Sequence, residues 1–105
     1  MRERNIETAL REQVRKAGGA AMKWISPGNN GVPDRIVFLP GGRIVFVELK
    51  APGKKPTALQ QYQHDRLRDL GQLVVVIDSR EGVDALMECI EEGILEYAIQ
   101  EGMFG

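Results

Sequence analysis

The chain has 105 residues, 43% of them hydrophobic, enough for one domain with one modest core. No stretch approaches the roughly 20 consecutive apolar residues of a membrane span, and Arg2, Glu3 and Arg4 open the chain with charge where a signal peptide would need an apolar run. The expectation is a soluble, intracellular (cytoplasmic) protein with no membrane contact. Its single cysteine, Cys89, excludes an internal disulfide or a thiolate metal cluster, and its net charge of −1 divides unevenly. Residues 81–105 hold seven acids and no Lys or Arg, leaving residues 1–80 at +6.

In chain order, Ile6, Leu10 and Val14 recur every four residues and predict an amphipathic helix over 3–17, ended by Gly18-Gly19. Residues 20–25 read as a first strand, and Ser26 to Val32 as a loop rich in turn residues. Arg35 to Leu39 and Arg43 to Leu49 are apolar, β-branched runs either side of Pro40-Gly41-Gly42, the pattern of a hairpin. Both faces of this hairpin are apolar, which predicts helices covering the sheet on both sides. A short basic loop over 51–56 precedes a second helix over 57–70, with Leu59, Tyr62, Gln63, Arg66, Leu67 and Leu70 towards one side. Leu73 to Ile77 is a continuous apolar strand. Asp78 or Ser79 then caps a third helix running to Glu91, with Val83, Leu86, Met87 and Ile90 inward and Cys89 in the core. Residues 93–105 form an acidic extension, either a short helix or a segment docked on another subunit. The order α-β-β-β-α-β-α describes an α/β domain over 1–92 with a small central mixed sheet flanked by helices.

The hairpin carries the chemistry. Centred on Gly41, it places Leu39 opposite Arg43, Ile36 opposite Phe46, and Asp34 opposite Glu48. The two carboxylates then have Cβ atoms roughly 5 Å apart and repel by about 3 kcal/mol at an effective dielectric near 20. A divalent cation between them would turn that cost into a binding site. Strand alternation puts Lys50 on the same face as both acids, a combination suited to metal-assisted chemistry on a phosphate. Gly28 and Gly31 in the preceding loop would let backbone amides approach an anion closely.

With Glu7 in the first helix, Gly31-Val32-Pro33-Asp34, Val47-Glu48-Leu49-Lys50, and the run from Leu59-Gln60 through Leu67 and Gly71 to Val76, the chain resembles the PD-(D/E)XK nuclease superfamily. Within it, the resemblance is to the small stand-alone VRR-NUC domains of phages and prophages, over roughly residues 3–80. It implies a restriction-endonuclease-like core and a metal-dependent endonuclease cutting DNA. Asp34, Glu48 and the Leu49 carbonyl would hold Mg²⁺ or Mn²⁺. Lys50 would orient the attacking water and offset charge on the phosphate. Glu7 would be an outer acid reaching the metal through water or holding a second metal, and Gln60 would bond Lys50, the water or the DNA backbone. Similarity to Holliday-junction resolvases implies a homodimer acting on branched DNA, with Lys54, Lys55 and the loop residues Gly28, Asn29 and Asn30 on the DNA. The positive first eighty residues would form that surface, and the acidic tail would point away from it.

Plainer roles stand beside these. Glu48 and Lys50 also fit a surface ion pair. Thr57 and Gln60 fit a helix capping box. Glu3, one turn before Glu7, competes for the helix-acid position. Arg43 reads as simply exposed at the turn, and Trp24 and Tyr62 as core or interface groups. His64, the only histidine, has no spaced partner, which sets aside a zinc site. No Gly-Lys-Ser/Thr loop is present, so no nucleotide cofactor is expected. The alternative function is a DNA-binding accessory module that keeps the fold without cutting.

Overall fold

The computed structural model describes residues 2–105; residue 1 of the expected 1–92 domain lies outside them. Four strands form one mixed sheet in sequence order, β1 (Ala20–Lys23), β2 (Arg35–Leu39), β3 (Arg43–Leu49) and β4 (Val74–Ile77). The first two pairings are antiparallel and β3–β4 is parallel. The parallel step needs a crossover, which α2 (Ala58–Asp69) supplies. Helices α1 (Glu3–Lys16), α3 (Arg80–Glu92) and the short α4 (Leu95–Gln100) complete the chain. The hairpin register is the one its sequence predicts, with Leu39 opposite Arg43 and Ile36 opposite Phe46. Among the described residues no helix is long and apolar enough to cross a membrane.

Strand alternation divides the sheet into two unlike faces. Val37, Leu39, Val45, Val47, Leu49, Val75 and Ile77 point to one side and share a core with Ile6, Leu10 and Val14 of α1 and Val83, Leu86 and Cys89 of α3. The other face is covered only in part, against the expectation of helices across both sides. There α2 sits over the C-terminal end of β3, and Trp24 packs on Phe46 with ring centroids 5.2 Å apart. Phe38 and Ile44, towards the turn, stay 38% and 39% exposed. One crossover helix of twelve residues is too short to cover a four-stranded face.

The second helix is also turned relative to expectation. Its buried residues are Gln63 and His64, while Leu59, Tyr62 and Leu70 face solvent. The polar residues point inward because the sheet end beneath them is itself polar. Tyr62 is thus no core group; the Arg66 guanidinium lies 5.8 Å from its ring centroid. Thr57 caps the helix by accepting from Gln60 N–H, and Ser79, not Asp78, caps α3 by accepting from Gly82 N–H.

After α3 the chain folds back on its own core. Leu95, Ala98 and Phe104 are buried there, and Phe104 C=O accepts from Val76 N–H on the outer side of β4. Arg43 is pinned rather than free: its guanidinium donates to Ile90 C=O at 3.1 Å and lies 3.7 Å from Glu96.

Candidate active site

Asp34 follows Pro33 at the entrance to β2, and Glu48 lies near the end of β3. The register that pairs Arg35 with Val47 continues one step to oppose them. Leu49 N–H donates to Asp34 Oδ2 at 2.7 Å, holding that carboxylate against the sheet. A strand residue's N–H and C=O point to the same side, so the Leu49 carbonyl also faces the Asp34 edge. Glu48 is buried, a position that acidic side chains take only when partnered.

The consequence of crowding two acids is visible on Asp34, whose pKa is pushed up to about 6. Burial is the main cause, and the Glu48 carboxylate beside it adds to the rise. The Leu49 N–H and the Lys50 charge oppose it without cancelling it. Without a cation, then, Asp34 holds its proton to higher pH than a free carboxyl does.

Lys50 Nζ donates to Gln60 Oε1 at 2.6 Å and lies 3.9 Å from Glu48 Oε2. The same Gln60 oxygen accepts from Thr57 N–H at 2.9 Å, so the capping box and the contact with Lys50 are one arrangement. The two roles the sequence leaves open for Gln60 are therefore both filled. His64, which has no spaced partner in the sequence, finds one across the fold in Glu48. His64 is fully buried, with Nε2 3.3 Å from Glu48 Oε1. Its spacing was a usable signal, because Gln60 and His64, four apart, must lie on one face of a helix.

Glu7 Oε1 is 2.9 Å from Nη2 of Arg35, the residue after Asp34, and Arg35 Nη1 donates to Ala21 C=O. Arg35 is the partner that sequence reading did not supply. Among the described residues no three His, Cys, Asp or Glu side chains converge as a metal cluster. The side chains at the site therefore offer two carboxylates, with the Leu49 carbonyl beside them. That all-oxygen set fits a small hard cation that keeps several waters and takes the rest of its shell from a phosphate.

The loop before Asp34 is built against α2. Gly31 has φ +91°, and a Cβ there would meet Leu59 C=O at 3.1 Å and Gln60 N at 3.2 Å, which explains glycine at this point of Gly31-Val32-Pro33-Asp34. Gln63 Nε2 donates to Asn30 C=O, tying the loop down. Gly28, Asn29 and Asn30 are exposed, with Asn29 bonded to Ser26. Lys54 and Lys55 are exposed on the loop after Lys50, which is anchored where Gly53 N–H donates to Asp78 Oδ2.

No family model matches the sequence. The chain is 56% identical over 81 residues to "Putative nuclease p44" of Acyrthosiphon pisum secondary endosymbiont phage 1, a match covering 77% of this chain and 87% of that protein. A solved structure described as a VRR_NUC domain superposes with a TM-score of 0.78 at 37% identity, covering 82% of this chain and 94% of the other. Opposed acids, a tethered lysine and a mixed sheet thus sit on a fold shared at substantial identity, and the chain belongs to the VRR-NUC family of nuclease domains.

Proposed function

We propose that this nuclease is a divalent-metal-dependent endonuclease of the PD-(D/E)XK type, hydrolysing DNA phosphodiester bonds as a homodimer with a preference for branched DNA. The observation that carries the reading is the opposition of Asp34 and Glu48 across the hairpin with Lys50 held beside them by Gln60. Nothing in an ordinary hairpin is gained by burying two acids together.

Asp34, Glu48 and the Leu49 carbonyl would hold Mg²⁺ or Mn²⁺. Bound there, the ion supplies Lewis acidity, lowering the pKa of a coordinated water and offsetting phosphate charge. Asp34 would act as a ligand in its ionised form, which it takes above about pH 6. Leu49 N–H keeps its Oδ2 oriented throughout. Gln60 fixes the Lys50 ammonium at the rim of the site, where it favours negative charge building on the phosphate and orients the attacking water. Lys54, Lys55 and the 28–30 loop are exposed and would contact the DNA backbone. Glu7, its carboxylate engaged by Arg35, would be an outer acid reaching the metal through water.

A labelled panel of four-way junction, flap, nicked duplex, linear duplex and supercoiled plasmid, incubated in Mg²⁺, Mn²⁺ or EDTA, tests the proposal with Glu48→Ala alongside. The expected result is metal-dependent cutting, highest on branched substrates, that falls by at least about 100-fold in the variant. A folded Glu48→Ala protein that cuts like the wild type would overturn the assignment. Retarded DNA with no cutting by either protein would favour the accessory module.

A further inference from the structure

His64 and Gln60 both point from α2 onto the end of β3, one to Glu48 and one to Lys50. His64 is fully buried, and its second ring nitrogen, Nδ1, has no partner among the described residues. That asymmetry restricts the ring's hydrogens. A hydrogen on Nδ1 would be a buried donor with nothing to bond, while a bare Nε2 would face a carboxylate oxygen lone pair to lone pair. With the hydrogen on Nε2 alone, the only unpartnered group is an acceptor, the less costly orphan.

We propose that His64 is a positioning residue, donating Nε2–H to Glu48 Oε1 and so turning Oε2 to the Lys50 side of the site as the oxygen available to a divalent cation. This rests on the metal-dependent reading above and extends it. Glu48 sits near the end of a strand and has two oxygens; Leu49 N–H orients Asp34, but among the described residues no backbone donor does the same for Glu48. The ring does so from the helix. Groups that orient metal ligands in this manner typically change metal affinity by about 10–100-fold when removed. In this arrangement α2 sets both Glu48 and Lys50, one on β3 and one just past its end.

The chain has one histidine, so its ring nitrogens can be read without overlap. Long-range ¹H–¹⁵N NMR on the metal-free protein at neutral pH is expected to show the Nε2–H form; an Nδ1–H form overturns the proposal whatever the protein's metal affinity. Calorimetric titration with Mg²⁺ or Mn²⁺ alone, without DNA, then compares wild type, His64→Leu and His64→Gln. The leucine variant should bind the ion about 10–100-fold more weakly. Glutamine, which can place an N–H near the same point, should recover most of the loss. Equal affinity in wild type and a folded His64→Leu overturns the positioning role. If the leucine variant does not fold, the NMR result and the glutamine titration decide: glutamine binding as weakly as a Glu48→Ala control overturns the proposal. A wild type that binds neither ion overturns the metal-dependent reading itself, and the positioning role towards a cation falls with it.

Discussion

At the scale of single residues, the balance at Asp34 sets the behaviour of the metal-free protein. In the fold this carboxyl keeps its proton up to about pH 6, whereas in the unfolded chain it loses it near pH 4. Between those values the folded state binds more protons, so stability falls as pH rises through the window and stays lower above it. Asp34→Asn keeps an acceptor for Leu49 N–H and cannot ionise. At pH 7.5 without metal it should melt about 4 °C or more above wild type, and the gap should close by pH 4.5; thermal melts at several pH values check this. Mg²⁺ should reverse the order by raising the wild-type melting temperature and leaving Asp34→Asn unmoved. Because the ligand must be ionised, apparent metal affinity of the wild type should rise as pH passes through about 6.

The elements show how one segment can serve two ends. In α2, Gln60 closes the capping box and holds Lys50 with the same oxygen. Thr57→Ala removes the side-chain acceptor for Gln60 N–H and should cost about 1 kcal/mol, with cleavage little changed. Gln60→Ala should cost similar stability and also slow cleavage by about tenfold or more, since Lys50 loses its tether. Urea denaturation beside single-turnover cleavage separates the two effects. The loop after Lys50 makes a different prediction. If Lys54 and Lys55 each neutralise a phosphate, replacing both with alanine should reduce the slope of log affinity against log salt by about 2, measured by fluorescence anisotropy on a labelled junction with Ca²⁺ or EDTA to prevent cutting.

Across the whole molecule, the final residues complete the core. Phe104 is buried against the sheet and its carbonyl takes the Val76 N–H that a sheet edge would otherwise expose. Phe104→Ala should cost about 3–5 kcal/mol, a large share of the 5–15 kcal/mol of a typical domain, and urea midpoints would show it. The same segment borders the basic loop after Lys50: Met103 and Gly105 line one cavity with Lys54 and Lys55. The partly bare sheet face near Phe38 and Ile44 has a simple cause: a single crossover helix reaches only one end of that side.

What the sequence determined by itself was local or periodic. The hairpin register follows from centring the turn on Gly41, and it opposes Asp34 and Glu48 without further information. Helix starts were legible where a side chain caps its own backbone, as at Thr57. The family resemblance, carried by short motifs in that order, is matched by the relatives at 56% and 37% identity. Contacts across elements were decided only by the tertiary structure. The rotation of α2 depends on the sheet beneath it, so of the side expected to be covered Gln63 is buried but Leu59, Tyr62 and Leu70 are exposed, and His64 is buried beside Gln63. Glu7 meets Arg35, and Arg43 meets α3 and α4, through approaches between segments distant in the chain. A polar residue's partner depends on which surface faces it after folding, and a one-dimensional pattern records only that the residue is polar.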